Sequence, residues 1–549
     1  MRFKNWMLAG ALGCLLANAA EPASSAATDR LEWWREARFG LFIHWGPVSL
    51  KGTEIGWSRA GERRGYGFGR GTEVPVEVYD NLYKEFNPTN FNADAWVATA
   101  QAAGMKYLVF TSRHHDGFSM FDTKVSDYKI TSPDSPFHRD VVKELADACH
   151  RAGLRFGLYY SPPDWHHPDA FTARHTNYLA YLKAQVRELL TGYGRVDVLW
   201  YDGLGKSAAD YGSVAMNRMA RELQPNLIIN NRSGLPEDFD TPEQVIGKFQ
   251  YNRPWESCIT ICNQWAWKPG DQMKSLKQCL DTLIRCAGGD GNLLFNVGPM
   301  ADGRIEPRQV GRLKEMGTWL AKYGDTIYAT RGGPWKPTAD FASTRTGNTI
   351  FAHVLRWKGD SITLPKLPRK IVSHTVLTGG QAQVQQSDQG VVISVAAGDR
   401  PDIDTIIRLD LEGSALDIPA IAWPLPGRAT ASNVYQNSEE HGADKAFDDD
   451  PGTRWATDAG TRQAWVALDL GQPTRFIGVA IHEEYAGRVQ RFEFQRKDGA
   501  DWETLFAGTT LGRDFKRSFP AVTAREVRLN ILEATEGPTI SEIRLTGTE

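Results

Sequence analysis

The chain has 549 residues, 41% hydrophobic and 23% charged, with 63 basic side chains against 66 acidic ones and a net charge of -3. That length exceeds what one hydrophobic core fills, so two to four domains are expected, and the near-neutral balance offers no basic field for nucleic acid. Eighteen tryptophans suit flat apolar faces such as those of sugars, although core packing accounts for most tryptophans taken singly.

At the N-terminus, Arg2 and Lys4 precede an apolar stretch from Trp6 to Ala17, and Ala17-Asn18-Ala19 fits a small-x-small cleavage site. Residues 1–20 therefore read as a signal peptide that sends the chain to the periplasm or outside the cell. Leu12-Gly13-Cys14 is close to a lipoprotein box, but the apolar run continues beyond the cysteine, so a lipid anchor ranks second. No later segment is long and apolar enough to span a bilayer.

From Leu31 to Tyr328, β-prone runs alternate with amphipathic windows. The strands expected are the run from Phe39 that ends at His44, the run ending at His114, Arg155–Tyr160, the run ending at Asp202, Leu227–Arg232, Cys258–Cys262 and Asn292–Val297. Helices are expected near 93–103, 141–152, 173–190, 211–223, 273–286 and 307–323. Repeated β-α units of this number predict a (β/α)8-like barrel over 28–332, with its site at the C-terminal ends of the strands. Short alternating runs at Thr349–Arg356, Ser361–Leu364, Ile371–Leu377, Gly390–Val395 and Thr405–Leu411 predict a small β-sandwich over 335–415. Pro419 to Pro426 is a linker, and 426–549 reads as a second all-β module, so the fold class is α/β plus all-β.

Beyond the leader the cysteines are Cys149, Cys258, Cys262, Cys279 and Cys286. An odd number spread through apolar contexts predicts buried free thiols. Cys258 and Cys262 flank a β-branched Ile-Thr-Ile with no second close pair, so no structural zinc is expected.

The strand ends carry the chemistry: His44, His114-His115-Asp116-Gly117, Trp200-Tyr201-Asp202 and Arg232. Two carboxylates flanking a scissile bond are the minimal kit for glycoside hydrolysis. Asp202 is a candidate nucleophile because Trp200 and Asp202 point the same way from one strand, pairing an aromatic wall with a carboxylate. On spacing alone, a plain turn at Asp202-Gly203 stays open. The histidines suit hydrogen bonds to sugar hydroxyls. A metal is the alternative, but two adjacent histidines on a strand would face opposite ways, which argues against joint chelation.

The strings Phe39–Trp45, Phe110–Phe118 with His-His-Asp-Gly-Phe, Leu199–Gly203, Asn230–Arg232 and Pro254-Trp255-Glu256 resemble those of α-L-fucosidases of glycoside hydrolase family 29. The likeness runs from about Leu31 to Leu411. It implies a retaining exo-α-L-fucosidase acting on fucosylated oligosaccharides or glycoconjugates through a covalent fucosyl-enzyme ester on Asp202, with no catalytic cofactor. The implied fucose-binding positions are His44, His114, His115, Tyr159, Trp200 and Arg232, with Glu54 and Trp57 in the loop after the first strand. There the family often has a Glu-Trp dipeptide, whereas this chain has Glu54-Ile55-Gly56-Trp57. The acid/base candidate is Glu243, in Asp240-Thr241-Pro242-Glu243-Gln244; Glu256 is the runner-up, with a structural role equally open to it. Trp265 and Trp267 are candidates for the pocket floor. Two rival readings stand beside this one: an inactive secreted lectin or adhesin, and a glycosidase for another sugar.

The stretch from Ala443 to Trp455 and the following Trp465–Gly471 resemble discoidin-like domains and family 32 carbohydrate-binding modules over about Pro426 to Gly547. That likeness implies a structural calcium ion held by Asp448, Asp450, Thr453 and Glu542, since hard calcium takes oxygen ligands. A solvated acidic turn capped by proline and glycine is the alternative.

Overall fold

A computed structural model describes residues 25–63, 67–68, 74–203, 205–247, 249–250, 252–423, 427–448 and 453–547. The expected signal peptide and Asp450 lie outside them.

Seven runs form one parallel sheet: β1 (Phe39–Ile43), β2 (Tyr107–Arg113), β3 (Arg155–Tyr160), β4 (Val198–Tyr201), β5 (Ile228–Ile229), β6 (Glu256–Thr260) and β7 (Asn292–Val297), in the order β5-β4-β3-β2-β1-β7-β6. Both faces of each strand are covered, which is why these runs read as apolar throughout and do not alternate. The outward residues Leu41, Leu108, Phe156 and Leu199 pack with Val142, Leu145, Leu182 and Leu283 of the surrounding helices. The inward ones, among them Phe42, Val109, Tyr159, Trp200, Cys258 and Leu294, fill the barrel. The helices follow the expected windows, at Ala93–Ala102, Val141–Ala152, His175–Gly192, Ser213–Leu223, Leu276–Gly288 and Pro307–Tyr323.

The eighth stave is irregular. After Ile229 the side chain of Asn230 takes over pairing with β4, accepting from Tyr201 N at 2.9 Å and donating to its carbonyl at 2.8 Å. The backbone then turns through Asn231–Ser233. Residues 238–244 close the gap between β5 and β6: Asp238 N bonds to Ile229 O at 3.0 Å, Glu256 N to Asp240 O at 2.9 Å and Cys258 N to Pro242 O at 3.1 Å. Pro242 has no N–H to give to a ladder, which explains why this segment bridges without becoming a strand.

A helix that the sequence reading did not anticipate, α1 (Ser25–Ala37), carries Trp34 into the barrel interior. Arg38, at φ 55° and fully buried, pairs with Asp290 and bonds the carbonyls of Thr330 and Gly291, tying the end of the helix to the start of the neighbouring strand β7.

Beyond the barrel, a five-stranded antiparallel sheet (Arg331–Gly332, Phe341–Thr346, Thr349–Val354, Thr405–Leu411, Ile371–Val376) and a three-stranded one (Ser361–Leu364, Gly390–Val395, Ala382–Ser387) enclose Trp335, Phe341, Ile350, Ile393 and Leu409. Phe341–Thr346 and Ala382–Ser387 went unread, because FASTRT and AQVQQS carry too few apolar residues to signal a strand. The last module is antiparallel throughout, with long bulged strands at Ala464–Glu483 and Phe515–Ala534 around Trp455, Phe476, Phe492 and Leu529.

Candidate active site

The open C-terminal end of the barrel gathers one polar group from nearly every strand end. Asp202, just past β4, is the centre. Its Oδ2 accepts from the Tyr159 hydroxyl at 2.7 Å and lies 3.4 Å from His115 Nε2, while Oδ1 accepts from Arg232 Nη1 at 2.6 Å. Burial alone would raise this carboxyl; the Arg232 guanidinium, helped by His115 and Tyr159, outweighs it and holds the group well below the usual carboxylate range. Asp202 is therefore an anion in the working pH range.

Arg232 is fixed by the closing segment: its Nε donates to Thr241 Oγ1 at 2.9 Å and Nη2 to Thr241 O at 3.1 Å. Its guanidinium lies 4.7 Å above the Trp200 ring, a cation–π arrangement, and Nη2 is 3.8 Å from Cys258 Sγ. The same Nη1 that bonds Asp202 lies 2.9 Å from Glu243 Oε2. Two carboxylate oxygens on one nitrogen are necessarily closer than the about 6.5 Å at which inverting glycosidases begin. Glu243 is the more open of the pair, 44% exposed against 15% for Asp202.

The three predicted histidines converge. His44 Nδ1 is 2.7 Å from Asn296 Oδ1, and burial depresses its pKa to about 4. His114 lies parallel to Tyr159 at 5.4 Å, and burial, reinforced by His115, lowers its pKa well below the usual value. The expectation that His114 and His115 face opposite ways is wrong: β2 ends at Arg113, the chain turns with Gly117 N on His114 O, and the two rings come within 4.3 Å of each other. The alternation argument fails because the pair lies past the strand. Among the described residues, His114, His115 and Asp202 place their ligand atoms within 4.8 Å of one another. Asp202, however, already has a cationic partner in Arg232, which a metal ion would have to displace or be repelled by.

The loop after β1 divides its two candidates. The Glu54 carboxylate accepts from the backbone N–H groups of Ile55, Trp265 and Ala266 at 3.1, 3.0 and 3.0 Å, so it shapes the turn that presents Trp265. Trp57 is 38% exposed at the rim, edge-on to His115 at 5.6 Å and to Trp165 at 5.1 Å. Trp265 itself stands 4.8 Å from His44. Asn296 was missed; it orients His44 and donates to Trp265 O at 2.8 Å. A polar residue near the end of the otherwise apolar stretch Leu293–Val297 was its only signal.

Glu256 is not in this pocket. It opens β6, at the barrel's N-terminal end, and its carboxylate accepts from Trp34 Nε1 at 3.2 Å, Trp200 Nε1 at 3.1 Å and the Tyr107 hydroxyl. Burial raises its pKa to about 7, against those three donors. Its structural reading is therefore the one the geometry favours.

In the last module, Thr453 Oγ1 donates to both oxygens of Asp448, at 2.8 and 2.9 Å, and lies 3.5 Å from Lys445 O. Trp455 pairs with Ile540 in the ladder, which brings Thr453 and Glu542 to the same end of it.

Residues 17–325 match the family described as Alpha-L-fucosidase, and residues 428–544 match the F5/8 type C domain. An α-L-fucosidase of Branchiostoma floridae is 30% identical over 427 residues, which cover 69% of this chain and 93% of that protein. Human tissue α-L-fucosidase is 29% identical over 66% of this chain and 84% of its own length. Among solved structures, α-L-fucosidase isoenzyme 1 of Paenibacillus thiaminolyticus superposes with a TM-score of 0.64 at 34% identity, over 71% of this chain and all of that one. The Thermotoga maritima α-fucosidase solved with a mechanism-based inhibitor gives 0.58 at 29% identity, over 69% of this chain and 96% of that one.

Proposed function

This chain belongs to the α-L-fucosidase family of glycoside hydrolases, and we propose that it is a retaining exo-enzyme that removes terminal α-L-fucose from glycans through a covalent fucosyl ester on Asp202. The observation that carries the reading is the sharing of Arg232 Nη1 by Asp202 and Glu243. The more buried carboxylate, kept anionic by its partners, attacks the anomeric carbon. The more exposed one meets the leaving oxygen and then the incoming water, giving its proton to the first and taking one from the second. His44, His114, His115 and Tyr159 surround the sugar with hydrogen-bonding groups, and Trp200 and Trp265 supply flat apolar faces. Trp57 closes the rim.

Released 4-nitrophenol from its α-L-fucoside tests the activity, and a 2-fluoro-fucosyl reagent followed by peptide mapping tests the nucleophile. A label away from the peptide holding Asp202, or a first-formed product with the β anomeric configuration, would sink the retaining reading.

The same proposal places the enzyme outside the cytoplasm, on the strength of the charged-apolar-small pattern of residues 1–20. For the last module, the convergence of Asp448, Thr453 and Lys445 O is an oxygen-only donor set of the kind calcium takes, with Glu542 at the same ladder end. An ion held there would pin the loop to the sheet and have no part in bond cleavage.

A further inference from the structure

His114 is held in the pocket by contact. Among the described residues its Nδ1 is buried with no hydrogen-bond partner. The ring is packed instead against its neighbours: Tyr159 lies parallel to it at 5.4 Å, His115 stands 4.3 Å away, and the backbone of Gly56 fills the space beside Nδ1. A Cβ added at Gly56 would stand 2.7 Å from Nδ1 and 3.5 Å from the His115 Cβ, and the first of these is closer than packed atoms approach. Where Gly56 sits therefore decides where the imidazole sits.

Gly56 in turn is tied down by one hydroxyl. Its N–H donates to Tyr79 Oη at 2.7 Å, and the Tyr79 O–H donates to Asp116 Oδ2 at 2.7 Å. Asp116 belongs to the turn that follows β2: Oδ1 accepts from Phe118 N at 3.2 Å, and Gly117 N closes on His114 O at 3.0 Å. The loop after β1 and the histidine turn are separate pieces of chain, and the phenol joins them. Tyr79 is itself fixed. It packs with Val48, Ile55, Leu82 and Ala266 in a small apolar cluster, and the neighbouring Asp80 accepts from Nε and Nη2 of Arg59 at 2.6 and 2.7 Å. Burial, with Asp116 beside it, raises the Tyr79 pKa well above its ordinary value, so the bridge keeps its proton.

We propose that Tyr79 is a positioning residue for sugar binding, whose hydroxyl holds Gly56 against His114 and so sets that imidazole for the fucose. The proposal rests on the reading of this pocket as the fucose site. The same loop carries Glu54, whose carboxylate presents Trp265, and Trp57 at the rim, with Ile55 anchored in the Tyr79 cluster between them. Loss of the hydroxyl thus loosens more than one contact to the sugar. The chemistry is left to Asp202 and Glu243, so a misplaced His114 weakens binding in the ground and transition states alike, and KM carries the loss.

Tyr79→Phe keeps the ring in its cluster and removes only the bridge. The KM of an aryl α-L-fucoside and the Kd of L-fucose by titration calorimetry should each rise about five- to tenfold, the scale of one hydrogen bond, while kcat stays within about twofold. In the full-length protein the Gly56 amide, its acceptor gone, should exchange hydrogen about tenfold faster or more. Asp116→Asn, which keeps an oxygen for the phenol proton, should stay close to wild type. Gly56→Ala, which drives a methyl group into His114, should raise KM and Kd at least as far as Tyr79→Phe. A role confined to stability would lower the melting temperature of Tyr79→Phe and leave KM and Kd in place. That result overturns the proposal, as does unchanged exchange at Gly56 or a loss carried by kcat alone. Should Tyr79→Phe fail to fold, Asp116→Ala, which takes the acceptor from the bridge, is read by the same constants with the same outcomes. L-Fucose binding needs no turnover, whereas release of 4-nitrophenol by the wild-type enzyme tests the fucosidase reading, so the two failures are distinguishable.

Discussion

Asp202 and Glu256 are carboxylates of one barrel, linked through a single tryptophan: Trp200 bonds Glu256 with its indole N–H and carries on its ring face the arginine that pairs Asp202. Glu256 is fully buried and Asp202 partly so, and desolvation pushes both pKa values up. Their surroundings then separate them. Asp202 has Arg232, and a cation within bonding distance overcomes desolvation; Glu256 has a phenol and two indoles, whose dipoles offset only part of it, and it stays near 7. Burial thus leaves the charge state of a carboxylate open; the type of donor it is given decides it, and here the two ends of the barrel differ in donor type.

The largest effect should come from removing the anion at the open end. Asp202→Ala is expected to lose about 10⁴-fold or more in kcat with the fold intact, the scale of deleting a nucleophile; steady-state assays with an aryl fucoside beside circular dichroism check it. Next is Glu243→Ala, expected to lower turnover of natural oligosaccharides by about 10²- to 10⁴-fold and that of activated aryl fucosides far less, with azide attacking the ester and restoring the rate as α-fucosyl azide. Azide rescue at Glu256→Ala, with a uniform loss at 243, would exchange the two ends of the comparison.

Glu256→Ala should instead destabilise. It strands three buried donors, at about 1–3 kcal/mol each before relaxation, and urea unfolding should register several kcal/mol. The two carboxylates also predict opposite pH slopes. The Glu256 pKa rises on folding from 4.5 to about 7, so its contribution to stability is fully present below about pH 4.5 and is lost as pH rises through 7. The Asp202 pKa falls on folding, so its contribution is present above its ordinary value of 3.8 and is lost as pH drops. Glu256→Gln should flatten the stability profile between pH 4.5 and 7 and leave the acid limb unchanged; a profile unaltered in that window would remove the contrast. The smallest effect is expected where neither carboxylate is touched. Chelation of the calcium ion proposed for the last module, or ending the chain near Pro424, should leave aryl-fucoside turnover largely intact, while chelation should lower only the melting temperature of that module.

Most of the barrel was legible because its strands are covered on both faces: Arg155–Tyr160, Asn292–Val297 and the helices at 141–152 and 307–323 announce themselves as mainly apolar runs or clean helical periods. The pocket was legible where a polar residue interrupts such a run, as at His44, Asp202 and Arg232. It was not legible where geometry depends on the chain after the strand. The turn past Arg113 that brings two histidines together, and the bridging segment around Pro242 that delivers Thr241 and Glu243, have no period to read. Glu54 was named for the sugar, but its role was opaque for a different reason, since it acts on backbone N–H groups and polar residues in loops all look alike in sequence. Trp34 of α1 was hidden because its partners Trp200 and Glu256 are more than 160 residues away in the chain.

That separation bears on how the chain assembles. The first helix of the described chain is joined by Arg30 to Asp238, by Trp34 to Glu256, and by Arg35 and Arg38 to Asp290. During synthesis it emerges well before any of these partners exists, so a segment made early is among the last to dock. Until the final β-α units have left the ribosome, the barrel has no lower cap, Glu256 lacks one of its donors, and the early strands remain an open sheet with two free edges. Completion of the catalytic domain is in this sense a ring closure, in which a late part of the barrel must find an early one.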